Sequence, residues 1–168
     1  MRKVALAFAL AALVAVVAFA GEEEKSPTNS PWFDLENCDF CKHLSAQEGL
    51  MDHMDWENIN FAAGSMSVTT VAPGYEDKFK KAIQLMEEAG KKMMAGEKLH
   101  MCGMCQSMGE LFQTGKAQYE SFETKGGWVS LTTSTDPETI KKIHAHTDRT
   151  NEEFAKMVAA EAHEKHDH

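Results

Sequence analysis

The 168-residue chain is 43% hydrophobic and 26% charged, with a formal net charge of −9. That balance excludes a collagen-like, low-complexity or wholly disordered chain. The acidic surplus argues against a nucleic-acid partner, which would need clustered Lys and Arg. Four cysteines, eleven methionines and eight histidines stand out. They direct attention to sulfur and imidazole chemistry.

Arg2 and Lys3 precede an uncharged Ala/Val/Leu/Phe run from Val4 to Phe19, which ends in Ala18-Phe19-Ala20 before Gly21. This is the pattern of a cleaved secretory signal, and the run of about 16 residues is short for a bilayer core that needs about 20. No cysteine follows to take a lipid, and no later stretch is apolar enough to span a membrane. The expectation is an exported protein, periplasmic or secreted, with residues 1–20 removed and a net charge of −11 once Arg2 and Lys3 are gone. Residues 21–33, rich in Glu and punctuated by Pro27 and Pro31, read as a flexible polar leader. Residues 34–160 suit one domain, and 161–168 form a His-rich tail.

An internal repeat organises the domain. Cys38-Asp39-Phe40-Cys41 recurs as Cys102-Gly103-Met104-Cys105 at an offset of 64. Trp56-Glu57-Asn58-Ile59 is answered by Tyr119-Glu120-Ser121-Phe122 at an offset of 63, and Gly64 to Thr70 by Gly127 to Thr133 in the same register. Pro73, Phe79, Lys92 and Met93 match Pro137, Ile143, Lys156 and Met157 at 64. The repeats cover about 36–96 and about 97–160.

Each unit opens with a CxxC and a short helical stretch carrying Phe40 and Leu44, or Cys105, Met108, Leu111 and Phe112. A hairpin follows, with strands expected at 56–61 and 65–71, or 119–124 and 128–133, around glycine turns. A longer helix closes each unit. Thr135-Asp136-Pro137-Glu138 is a helix start, with an oxygen-bearing cap and Pro in the first turn. Phe79, Ile83, Met86 and Met93 mark one apolar stripe; Ile140, Ile143, Thr147, Phe154 and Met157 mark the other. An isolated hairpin is marginal, so two should join. The expected fold is α+β: a duplicated α-β-β-α unit with one four-stranded antiparallel sheet covered by helices, related by a pseudo-twofold axis.

The paired CxxC motifs carry the chemistry. Two intervening residues let both sulfurs reach one metal ion or close on each other. If the motifs meet at the axis, Cys38, Cys41, Cys102 and Cys105 converge on a single ion; otherwise there are two separate sites. The leading expectation is a non-enzymatic binder of zinc or copper, with His100, Met101, Met104 and Met108 as candidate additional ligands, since thiolate and thioether suit Cu(I) and thiolate and imidazole suit zinc. Core filling is the competing role for each methionine. Disulfide staples fit an oxidising compartment, and thiol–disulfide exchange is the redox alternative. A ligand- or partner-binding module stapled by its cysteines is a third. Haem is disfavoured, because Lys42 and Gln106 stand where a haem-attachment motif needs His. A thioredoxin-like arrangement fails because Lys98-Leu99-His100-Met101 is too short and polar for the buried strand it needs, and Pro137 reads as a helix start.

His144, Asp148 and Arg149 form a secondary polar face on the last helix, where His144 and Asp148 are one turn apart. Arg149 is the only arginine after Arg2. An ion pair with Glu152 or Glu153 is its simplest role. His163, His166 and His168, with Glu161 and Asp167, are a loose capture set for divalent metal. Neither G-x-S-x-G, H-E-x-x-H nor a phosphate-binding Gly loop occurs, so nothing supports catalysis.

Overall fold

A computed structural model describes residues 31–164, with side chains through 159. The expected signal peptide, most of the leader and the last tail histidines lie outside the described residues. In chain order the elements are α1 (Lys42–Ser45), a 3-10 turn (Met51–His53), β1 (Met54–Phe61), β2 (Gly64–Val71), α2 (Glu76–Met94), α3 (Gly103–Gln113), β3 (Gln118–Thr124), β4 (Gly127–Thr133) and α4 (Pro137–Glu164). The strands form one antiparallel sheet in the order β1-β2-β4-β3. This is the α+β architecture expected from the sequence.

The two hairpins pair in equivalent registers. Asp55 lies opposite Thr70 and Phe61 opposite Gly64; 63 residues on, Gln118 lies opposite Thr133 and Thr124 opposite Gly127. The hairpins join through β2 and β4, with Ser67 opposite Ser130. Gly64 and Gly127 begin these central strands at φ +153° and +146°. A Cβ on Gly64 would run into the Thr132 carbonyl oxygen, and one on Gly127 into that of Thr69. Glycine is required at both because the central strands approach too closely there for any side chain.

Side chains alternate across the sheet. Met54, Trp56 and Asn58 of β1 face inward, while Asp55, Glu57, Ile59 and Phe61 are exposed. α4 lies across β1, β2 and β4, whereas α2 packs on α1 and α3 on α4. Leu44, Leu50, Met54, Val71, Phe79 and Ala82 form the main core. Asp136 caps α4, its Oδ2 accepting the Thr139 N–H at 3.0 Å and the Thr139 hydroxyl at 2.8 Å. Those bonds and the Lys116 ammonium hold its carboxyl down at about 2, as a cap at the positive end of a helix should be.

Residues 31–33, the described end of the leader expected over 21–33, join the folded part. Trp32 is buried against Gly103, and Phe33 lines the space between helices and sheet. Their apolar area outweighs the polar context around them. No helix among the described residues is long and apolar enough to cross a membrane.

Candidate metal centre

The N-terminal segment and the starts of α1 and α3 meet at one junction. Cys38 lies in a turn and Cys41 at the start of α1; Cys102 caps α3 and Cys105 lies in its first turn. Asp39 and His100 clamp the two motifs together. The Asp39 N–H donates to the His100 carbonyl at 2.8 Å, and the His100 N–H donates to Asp39 Oδ2 at 2.8 Å. The N-terminal segment completes the junction, the Pro31 and Trp32 carbonyls accepting the Gly103 and Met104 N–H groups at 3.0 Å each. Gly103 makes this possible, since a Cβ there would press on the Trp32 ring at 3.2 Å.

The four sulfurs converge. All lie within 4.8 Å of one another, with Cys38–Cys105 and Cys41–Cys102 at 3.6 Å and Cys41–Cys105 at 3.5 Å. These three approaches all cross between the motifs. Four sulfurs at about 2.3 Å from a central zinc stand about 3.8 Å apart along the edges of the tetrahedron, whereas a disulfide needs about 2.05 Å. The observed spacing is that of a metal cage, and all four residues are unpaired thiols. Cys38, Cys41 and Cys102 are buried and only Cys105 is partly exposed. The cage is also too tight for an iron–sulfur cluster, whose inorganic sulfides spread the protein ligands apart.

Hydrogen bonding inside the cluster makes the thiols titrate as one unit. Interaction with Cys102 and then Cys105 holds Cys38 well below the ordinary thiol range. Interaction with Cys105 brings Cys102 down to about 6. Cys41 and Cys105 are pushed up, each chiefly through Cys102 and further by burial. The motifs also share a backbone device: the Cys41 N–H donates to the Cys38 sulfur, and the Cys105 N–H to the Cys102 sulfur. Both bonds favour thiolate, the form that ligates metal.

No protein family, curated protein or solved structure matches the chain. The residues themselves must therefore carry the functional argument. Four clustered thiols at this spacing are consistent with the binding of one metal ion.

The other candidate residues are placed differently. His100 is exposed, with Nε2 3.6 Å from Asp34 Oδ2, and stands outside the four-sulfur group. Met104 packs against the cysteines. Met104 and Met108 also line the central cavity, and the Met101 carbonyl accepts the Gln106 side-chain amide at 2.7 Å. The secondary polar face is divided. His144 Nε2 meets the Phe61 and Gly64 carbonyls at 2.9 and 3.1 Å, and Asp148 accepts the Asn60 amide at 2.7 Å. Arg149 instead stacks its guanidinium over the Trp32 ring at 4.3 Å. This contact replaces the expected ion pair, and Glu153 pairs with Lys156. His146 was not among the candidates; it is buried against Trp32 and bonded through Nδ1 to the Ser107 hydroxyl at 3.0 Å. Its burial was legible only as spacing, three residues after Ile143 on the apolar stripe.

Proposed function

We propose that this is an exported, non-enzymatic zinc protein in which Cys38, Cys41, Cys102 and Cys105 hold one structural ion between the two repeats. The convergence of four thiols at tetrahedral spacing carries this reading. Four thiolates satisfy zinc completely, and tetrahedral all-sulfur sites select zinc among the redox-inert ions. Copper is the less favoured metal, because thioether donors have no vacancy to fill once four thiolates are in place. Exchange chemistry at a single CxxC is disfavoured by the burial of Cys38, Cys41 and Cys102, which shields them from an attacking thiol. Export rests on the Arg2-Lys3 start, the apolar run and Ala18-Phe19-Ala20.

The test is the intact native mass and elemental content of the protein exported by its own signal and purified without reductant or chelator. One zinc per chain is expected, lost in a Cys102→Ser, Cys105→Ser double variant. A metal-free mass lighter by four hydrogens would establish two disulfides and overturn the reading. One copper per chain would overturn the choice of metal.

A further inference from the structure

A cavity of about 460 Å³ lies between the inner face of the sheet and the helices, a size typical of small-molecule sites. It has a structural cause. α4 packs directly on three strands, while α2 leans on α1 and approaches the sheet through Phe79 against Trp128, 6.1 Å between ring centres. The floor beneath this gap is made of small hydroxyl residues, Ser65, Ser67 and Thr69 on β2 and Ser130 and Thr132 on β4. Central strands facing a core ordinarily carry Val, Ile or Leu, which would fill the space. Here short polar residues take most of the inward positions of the two central strands, with Val71 at the end of β2 and Trp128 near the start of β4 as the large exceptions.

The walls are of the opposite character, with Trp56, Trp128, Phe40, Phe79 and Phe154 around the floor. Ser130 Oγ pairs with the Tyr119 hydroxyl at 2.9 Å. Ser67 and Thr69 line the floor beside this pair. No Lys or Arg lines the cavity, and Cys41 of the thiol cluster borders it. Glu87 stands on the exposed side of α2, and burial pushes His146 down to about 4, keeping it neutral. An anionic ligand would therefore lose its hydration with no counter-charge to replace it. Flat rings would find aromatic walls, and polar groups would find donors and acceptors on one side only.

We propose that this cavity is a binding site for an uncharged aromatic small molecule, its rings held among the tryptophans and phenylalanines and its hydrogen-bonding edge on the Ser67/Thr69/Ser130 floor. The site does not depend on zinc being the bound metal. The probe is phenyl-naphthylamine, an uncharged fluorophore, titrated into the metal-loaded protein while energy transfer from tryptophan is followed. A saturable signal at one equivalent is expected. Anilinonaphthalene sulfonate, with the same rings and a negative charge, should bind at least about tenfold more weakly. Ser67→Phe, which sets a ring on the centre of the floor, should abolish the signal at unchanged metal content. Thr150→Trp narrows the cavity from α4 and serves if Ser67→Phe does not fold, as judged by circular dichroism. Absence of saturation, equal affinity for the sulfonate, or unchanged binding in a folded variant would each overturn the proposal. Metal content, measured on the same samples, reports separately on the zinc centre.

Discussion

His146 shows how a single buried side chain makes stability depend on pH. Its imidazole is 8% exposed, with Trp32 on one side and the Ser107 hydroxyl on Nδ1. Burial lowers its pKa from 6.5 to about 4. The unfolded chain therefore takes up a proton near pH 6.5 that the folded protein refuses until about pH 4. The sign is that of a depressed base. Stability is full above pH 6.5 and falls as the pH drops toward 4, by on the order of 3 kcal/mol in total. Urea unfolding of the metal-loaded protein at pH 7 and pH 5.5 should show this loss. His146→Gln should flatten the slope while lowering stability at pH 7, and an unchanged slope would show that another group titrates. Arg149 is a second lesson at this scale. An arginine beside two glutamates reads as an ion pair, yet its guanidinium lies on Trp32. Only the folded path of a distant tryptophan decides between the two, because surface ion pairs contribute so little.

Among the elements, the hairpins were the most legible, for physical reasons. Strand-forming residues and glycine turns are local signals, and the observed strands lie within two residues of those read from the sequence. Gly64 and Gly127 are the sharpest case, each facing a threonine carbonyl of the opposite central strand. Gly64→Ala and Gly127→Ala should each destabilise the protein by about 3 kcal/mol or more, because backbone atoms must shift to admit the methyl group. Chemical denaturation should find the two costs similar, as their contacts are equivalent; a mild effect at either position would mean that β2 and β4 can separate locally. The helices before the hairpins were less legible. α1 is one turn of four residues, whereas α3 runs for eleven, although both follow a CxxC. The cavity was also hidden. Alternating serines and threonines read as ordinary strand formers, and only the stand-off of α2 turns them into an open floor.

For the molecule as a whole, the sequence named the four cysteines but left open whether the motifs meet. That depends on how two distant segments dock, and the Asp39–His100 clamp settles it with backbone atoms whose partners no motif reveals. An ion that the folded cage binds more tightly than the unfolded chain does must raise stability by linkage, by up to about 1.4 kcal/mol for each tenfold rise in free zinc above the dissociation constant. Thermal unfolding under reducing conditions should follow buffered zinc accordingly, and chelation should lower the midpoint. The benefit should shrink in acid, because ligation requires the thiols to lose their protons. A midpoint indifferent to zinc would mean that the native thiols do not bind it.

The cross-motif sulfur contacts also have a meaning for the chain as a polymer. Cys41 and Cys102 are 61 residues apart in sequence, and the stretch between them contains β1, β2 and α2. An ion gripping both motifs turns the disordered chain into a lasso, a closed ring with β3, β4 and α4 as its free tail. Closing a ring of this length removes about 4 kcal/mol of disorder from the denatured ensemble on the chain-entropy estimate used for covalent cross-links. The first hairpin would then search for its register inside a confined loop, while the second searches at the end of a loose one. Two hairpins with the same register in the folded protein would thus begin folding under unequal constraint.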